Sequence, residues 1–376
     1  MRKFFAVAAP GVEALTALEL HRLGLVPENK THQNGGVSFE GELEQLYRAN
    51  LHLRTANRVL VRLGNFHAAT FSELRKKAGR LPWEHYLSAG QPVTLRVTCR
   101  KSRLYHSDAV AERIAGAIED RMGQPSPLEK PANEEADDPP QMFVVRLWRD
   151  QCTISIDSSG ALLHRRGYRL ATAKAPLRET LAAAMLLAAD WDTISPLLDP
   201  FCGSGTIPIE AALLARGFPP GMRRNFAFMT WPGFEPELWE ALLAETPVPS
   251  NADGPVIQAS DRDAGAVRLA QENAERAGVA GDIEFSCRAI SAIEPPPEKG
   301  WVITNPPYGL RVSANKDLRN LYAQLGNVLR TQCIGWHTAI LCSDLRLLGQ
   351  TGLPLDHSLT LVNGGVRVRL GRGRVK

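Results

Sequence analysis

Apolar residues along the first half of the chain alternate between strand and helix spacing. Phe4 to Ala8 is an apolar run of strand length, and Val12 to Leu23 carries apolar residues at helical spacing up to Gly24, a natural C-terminal cap. Val37 to Glu40 and Val59 to Leu63 read as strands around a helix over Leu43 to Leu53, a small α+β group. A second group follows: a helix over Phe71 to Ala78, a strand over Pro92 to Thr98, a helix over Asp108 to Met122, and strands over Gln141 to Leu147 and Cys152 to Asp157. Gln124 to Pro140, rich in proline and acid, reads as an exposed loop.

From Leu181 onward, helices alternate with short apolar strands, the mark of a parallel sheet covered on both faces. Strands are expected at Leu197-Leu198, Val256 to Ala259, Ile283 to Phe285, Val302 to Thr304 and Thr338 to Cys342. Ser358 to Val362 and Val366 to Leu370, joined through Asn363-Gly364-Gly365, read as a closing hairpin. The fold class is therefore α/β, and the chain divides into residues 1-65, 66-160 and 161-376, the last opening on a linker helix.

Composition narrows this only slightly. With 376 residues there is room for two or three cores, and a formal net charge of +4 permits a nucleic-acid partner without requiring one. Cys99, Cys152, Cys202, Cys287, Cys333 and Cys342 are scattered, with no C-x-x-C pair and no histidine cluster. They read as reduced thiols of a cytoplasmic protein, with no metal site. Met1 to Pro10 begins like a signal peptide, but the apolar run is too short and Glu13 and Glu19 follow, so a strand and helix are expected there. No apolar segment reaches membrane-spanning length; Leu181 to Ala189 is closed by Asp190.

Two segments carry the chemistry. Leu197-Leu198-Asp199-Pro200-Phe201-Cys202-Gly203-Ser204-Gly205-Thr206 runs from a strand ending in an acid into a glycine-rich turn, where Gly203 and Gly205 allow close backbone approach by a ligand. The helix after it, Ile207 to Ala215, presents unsatisfied amides and a positive dipole end, suited to the carboxylate of S-adenosylmethionine. About a hundred residues later comes Asn305-Pro306-Pro307-Tyr308. An exocyclic amine has two protons to donate, so a fixed amide oxygen and a backbone carbonyl can orient its lone pair, while Tyr308 stacks on the base. Between the two lies Asp261, at a strand end where an acid can accept both ribose hydroxyls of a cofactor. Asp263 competes with it and can instead cap the helix over Ala264 to Ala277. Asp199 can meet the cofactor's amino group, or serve only as a turn former before proline. Either segment alone is weak; in this order they point to methyl transfer onto an exocyclic amine.

Basic residues mark where RNA would bind. Arg96, Arg100, Lys101, Arg103 and Arg113 gather near a strand end with Tyr105 and His106, a mixture able to hold phosphates and stack unpaired bases; a solvated basic strand end is the competing reading. His164 to Arg169, with Arg165 and Arg166, forms a second basic segment, and Arg367, Arg369, Arg372, Arg374 and Lys376 form a third that reads as a groove wall or a solvated tail.

With these residues in view, the chain resembles the THUMP-domain class I RNA methyltransferases nearly end to end, and among them the bacterial enzymes acting on guanine N2 of 23S ribosomal RNA. The resemblance is carried by Phe4 to Glu13, Arg100 to His106, Asp157 to Gly160 with Leu163 to Arg169, Ala175 to Ala183, the two chemical motifs, and Asn363-Gly364-Gly365. It implies a ferredoxin-like domain over 1-65, a THUMP RNA-binding domain over 66-160 and a Rossmann-like methyltransferase domain over 161-376. It further implies that Asn305, Pro306, Pro307 and Tyr308 form the target-base pocket, and that Asp199, Phe201, Cys202, Gly203, Ser204, Gly205, Thr206, Asp261, Arg262 and Asn305 surround S-adenosylmethionine. Pro176, Glu179 and Thr180 would flank the cofactor's methionine. Structured RNA would be gripped by Arg100, Lys101, Arg103, Tyr105, Arg165 and Arg166. One position departs from the family: where an acid usually meets the adenine, this chain has Ala289. The expected partner is 23S rRNA; tRNA guanine N2, adenine N6 in RNA or DNA, and a non-catalytic RNA-binding assembly factor are the alternatives.

Overall fold

Local patterning places most elements, though not the strand Pro27–Gln33 or the helices Pro236–Ala244, Arg319–Gln332 and Leu345–Gln350, and the computed structural model shows how they pair. It describes residues 1–33, 35–130, 140–169, 177–246, 254–308 and 318–376, with backbone alone for 28–33. In chain order come β1 (Arg2–Ala8), α1 (Glu13–Arg22), β2 (Pro27–Gln33), β3 (Gly36–Gly41), α2 (Leu43–His52), β4 (Ala56–His67), α3 (Phe71–Ala78), β5 (Val93–Arg100) and α4 (Ser107–Met122). Next are β6 (Gln141–Trp148), β7 (Gln151–Asp157), α5 (Glu179–Ala188), β8 (Leu197–Asp199), α6 (Thr206–Ala215), α7 (Pro236–Ala244), β9 (Ile257–Asp261) and α8 (Ala264–Ala277). The last are β10 (Ile283–Cys287), β11 (Trp301–Thr304), α9 (Arg319–Gln332), β12 (His337–Cys342), α10 (Leu345–Gln350), β13 (Asp356–Asn363) and β14 (Val366–Arg374).

The chain forms two compact units. The first holds Met1–Ala8, Glu19–Leu163 and Arg224–Glu245; the second holds Ala9–Leu18, His164–Arg223 and Thr246–Lys376. In the first unit the two small α+β groups share one seven-stranded sheet of order β2-β3-β1-β4-β7-β6-β5. Strand β4 joins them. Its Ala56 to Val61 stretch pairs with β1, and its Leu60 to His67 stretch pairs with β7. Periodicity ended this strand at Leu63, because Gly64, Asn65 and His67 have little strand preference; the β7 ladder extends it regardless.

Arg224–Glu245 lies between α6 and β9 in sequence yet belongs to the first unit. The reason is aromatic. Tyr47 of α2 stacks on Phe228 at 4.3 Å and meets Trp239 edge-on at 6.1 Å, and its hydroxyl accepts the Glu235 amide at 3.0 Å. Trp231 packs edge-on against Tyr86 at 4.9 Å and donates its indole N–H to Gln141 Oε1 at 2.7 Å. These rings are held in the first unit by edge and face contacts with its own aromatic side chains.

The second unit is built on a seven-stranded sheet of order β10-β9-β8-β11-β12-β14-β13. Strands β10, β9, β8, β11 and β12 are mutually parallel, while β14 and β13 close the edge as the antiparallel hairpin. The C-terminal arginines are no tail: β14 runs to Arg374, Arg372 pairs with Asp356 at 2.9 Å, and Arg374 Nε donates to the Gly335 carbonyl at 3.0 Å.

Candidate active site

Strand order reverses between β8 and β11, and the carboxyl ends of parallel strands at such a point leave a crevice. Here the crevice is a cavity of about 360 Å³ lined by Asp199, Phe201, Cys202, Gly203, Ser204, Thr206, Asp261, Arg262, Asn305 and Pro307, all expected from sequence. Leu177, Pro200, Ile207, Arg288, Ala289, Ile290, Leu321 and Gln324 complete the wall. Of the remaining expected residues, Gly205, Glu179, Thr180, Pro306 and Tyr308 do not line it, and Pro176 lies outside the described residues.

The two glycines of the turn divide their work. Gly203 has φ +53 with nothing within 4 Å of where a side chain would begin, so that side is open. Gly205, with φ +84, would place a Cβ 3.0 Å from the Ala270 Cβ and 3.2 Å from Ile209. Its absent side chain lets α6 pack against α8, a correction to the expectation that it admits a ligand. The turn is tied to β9 by Cys202 N donating to the Ser260 carbonyl at 3.0 Å, and held from α8 by Asn273 Nδ2 donating to the Ser204 carbonyl at 3.0 Å.

Each acid has a distinct setting. Asp261 Oδ2 accepts Gly203 N at 3.1 Å and Oδ1 accepts Asp263 N at 3.0 Å, so the carboxylate is oriented at the cavity wall by two backbone amides. Asp263 is the helix cap, accepting Gly265 N at 2.8 Å and Ala266 N at 3.2 Å. Asp199 is 1% exposed, and its Oδ1 accepts Thr304 Oγ1 at 2.6 Å and Phe201 N at 3.2 Å. Burial pushes its carboxyl up to about 7, aided by the neighbouring charge of Asp261 and opposed by the two donors.

Asn305 follows the buried end of β11. Its Oδ1 is buried and has no hydrogen-bond partner among the described residues. A buried acceptor left without a donor costs free energy, and at a cavity wall it marks where a donor belongs. The rest of the turn is pinned from outside. Tyr308 is 6% exposed and its hydroxyl accepts Asn363 Nδ2 at 3.0 Å, while the Tyr322 hydroxyl lies 3.3 Å from the Pro307 carbonyl and 3.2 Å from Cys342 Sγ. The hairpin and α9 thus brace the motif. Tyr322 escaped the sequence reading because a core tyrosine on an amphipathic helix carries no local signature.

Below the cavity, Arg169 Nη2 donates to Thr206 Oγ1 and Nη1 donates to the Leu177 carbonyl at 3.2 Å, with Glu179 Oε1 3.4 Å away. Burial raises the Glu179 carboxyl above its usual range against the pull of Arg169. Arg166, expected on RNA, is 4% exposed, with Nε 3.4 Å from Glu210 Oε1; a guanidinium enclosed with a carboxylate cannot reach a phosphate. Arg165 is half-buried.

In the first unit Arg100, Lys101, Arg103 and Tyr105 are exposed at and just beyond the end of β5. Tyr105 lies 4.1 Å from the His106 ring, and Lys101 Nζ is 5.4 Å from the centre of Trp148. Arg113 sits instead over Phe71 at 5.6 Å, on α4. Among the described residues no helix is long and apolar enough to cross a membrane, and no cluster of three metal-ligating side chains is present.

Family models match the chain in three consecutive stretches: an RlmL ferredoxin-like domain over residues 3–60, a THUMP domain over 68–157 and an RMKL-like methyltransferase domain over 166–352. A ribosomal RNA large subunit methyltransferase K/L of Syntrophotalea carbinolica is 37% identical, covering 98% of this chain and 53% of its own. A putative RNA methyltransferase of Synechocystis sp. is 34% identical over 97% of this chain and 94% of its own. The crystal structure of SMU.472, a putative methyltransferase complexed with SAH, superposes with a TM-score of 0.87 at 30% identity, covering 100% of this chain and 99% of that one. The chain spans about half the length of the K/L relatives it matches.

Proposed function

Because this chain belongs to the RMKL-like methyltransferase family with ferredoxin-like and THUMP domains, we propose that it transfers a methyl group from S-adenosylmethionine to the N2 amine of a guanine in 23S ribosomal RNA. The observation that carries the reading is the orphaned Asn305 Oδ1 on the wall of a cavity that also holds Asp199 and Asp261. A target amine supplies the missing donor. With one N–H held by Asn305 and a second by a backbone carbonyl of the Pro306-Pro307 turn, the nitrogen lone pair is aimed and catalysis is largely orientation. The cofactor, when bound, would supply an electrophilic sulfonium methyl, and the target amine held by Asn305 would give up its proton to solvent. Asp261, already oriented by Gly203 and Asp263, is suited to ribose hydroxyls, and the Thr206 end of α6 to a carboxylate. Asp199 is suited to an ammonium, which would hold it ionised. Arg288, Ala289 and Ile290 occupy the wall where relatives of this class place an acid, leaving the adenine to apolar contact and backbone groups. Tyr308, buried against Asn363 and off the cavity wall, would hold the turn in place and not stack on the base as expected, and Arg100, Lys101, Arg103, Tyr105 and Arg165 would contact RNA.

The test is nucleoside mass spectrometry of rRNA and tRNA from cells lacking the protein, followed by remethylation with the purified chain. Loss and restoration of N2-methylguanosine in 23S rRNA is expected. Loss confined to tRNA, loss of N6-methyladenosine, or no loss at all would each refute it.

A further inference from the structure

Among the described residues of the first unit, one face of the sheet is open to solvent at the β5 and β6 edge. On β6, Phe143, Val145 and Leu147 are fully buried on the face that Trp83 packs against at 5.1 Å from Phe143, and α4 lies against β5 on that side. The alternate residues face the other way and are exposed: Arg96, Thr98 and Arg100 on β5, Arg146 and Trp148 on β6. Parallel register sets Thr98 beside Arg146 and Arg100 beside Trp148, and the next strand continues the row with Thr153 and Gln151. Trp148 is 40% exposed, with Lys101 Nζ 5.4 Å and the Arg149 guanidinium 5.9 Å from its ring centre. A groove of about 300 Å³ runs between Thr98, Arg100, Val144, Arg146 and Trp148.

The charged side chains exposed on this face of β5 and β6 are arginines. The only carboxylate in the sequences of these strands is Asp157, which is buried against Arg58, and Asp150 in the following turn is engaged by Arg103 N at 2.7 Å. A sheet face normally hides its apolar rings or surrounds them with mixed charge. Here an open tryptophan lies among arginines, with same-face neighbours about 7 Å apart along a strand and about 5 Å across it. That spacing suits a polyanion whose flat groups can stack.

We propose that this face is a platform for single-stranded RNA, on which Trp148 stacks one unpaired base while Arg96, Arg100 and Arg146 hold the flanking phosphates. A duplex has its base faces occupied and could use only the phosphate contacts. The proposal rests on the RNA reading above, and it extends the grip from the strand end at Arg100 to Tyr105 onto the sheet itself.

The experiment measures binding of labelled single-stranded oligoadenylate and of blunt-ended duplex RNA to the full chain over a salt series. Trp148→Ala should weaken oligoadenylate binding roughly 5- to 150-fold, the range for losing one base stack, and leave duplex binding unchanged. Trp148→Phe should restore most of the loss. Replacing Arg96, Arg100 and Arg146 with glutamine should flatten the salt dependence for both RNAs. Affinity for S-adenosylhomocysteine should be unaltered throughout, which reports an intact second unit. If the unaltered chain binds oligoadenylate but Trp148→Ala binds it equally well, or loses duplex and single strand alike, the platform is refuted and the RNA reading stands. If the unaltered chain binds neither RNA, both fall.

Discussion

Replacing Asp199 with asparagine should stabilise the cofactor-free protein above neutral pH while weakening its hold on the cofactor. Asparagine keeps an oxygen where Thr304 Oγ1 and Phe201 N donate, at 2.6 and 3.2 Å, and removes the buried charge. The native carboxyl sits at about 7 against an ordinary 3.8, so between those values the folded state binds a proton that the unfolded state has released. Stability of the natural protein therefore falls as pH rises through that window, by about 1.4 kcal/mol per unit, and levels off above it. The asparagine variant lacks this loss. Its advantage should grow by about 2 kcal/mol between pH 5 and pH 7, read from urea unfolding of both proteins at each pH. With S-adenosylhomocysteine the order reverses: its ammonium favours ionised Asp199, so natural affinity should drop about tenfold from pH 8 to pH 6, with uptake of ligand releasing a proton, and the variant should show neither effect. A variant no more stable at pH 7 than at pH 5 relative to the natural chain would refute the reasoning, since it would mean that Asp199 is charged at little cost in the folded state.

Asn305→Ala should lower turnover by a hundredfold or more, about 3 kcal/mol, while S-adenosylhomocysteine affinity by calorimetry stays within about threefold; near-normal turnover would remove the amide from catalysis. Asp261→Ala should weaken that same affinity by roughly tenfold to a hundredfold without altering RNA binding, because two preset acceptor contacts vanish. Asn363→Leu should reduce turnover about tenfold, and the loss should nearly disappear in a Tyr308→Phe background, since the two side chains are coupled through one hydrogen bond of 3.0 Å; additive losses in the double-mutant cycle would show that they act separately. A fragment ending at residue 165 should unfold at markedly lower temperature than the first unit in the full chain, and adding residues 224 to 245 in trans or by fusion should raise its midpoint, because Phe228, Trp231 and Trp239 would otherwise be missing from its core.

The cavity was legible because its chemistry is contiguous: a strand, an acid and a glycine turn lie within ten residues, and the asparagine motif follows its own strand. What stayed hidden was set by pairing partners distant in sequence. Nothing near Gly64 to His67 shows that β7 will extend β4, and nothing in Phe226 to Trp239 shows that its rings belong with Tyr47 and Tyr86. Arg166 looked like part of a basic run until Glu210, on a helix 44 residues away, was seen to enclose it. Arg146 and Trp148 are separated from Arg100 in sequence by α4 and the segment after it, and only parallel register reveals them as neighbours.

The out-of-order segment also sets a timetable for the chain's birth. Glu235 meets Tyr47 across a separation of 188 residues, so Tyr47 must wait for that many further residues to be made before its hydroxyl finds this partner. At ribosomal speeds of about 5 to 20 residues per second, that is on the order of ten seconds or more during which the nascent sheet shows bare aromatic surface. The glycine turn of the cavity is translated inside this interval, so a half-made first unit and the beginnings of the second emerge together. The usual sequence, in which an N-terminal domain is finished before the next begins, is closed to this chain, and its vulnerable period in the cell ends only once residue 245 has left the exit tunnel.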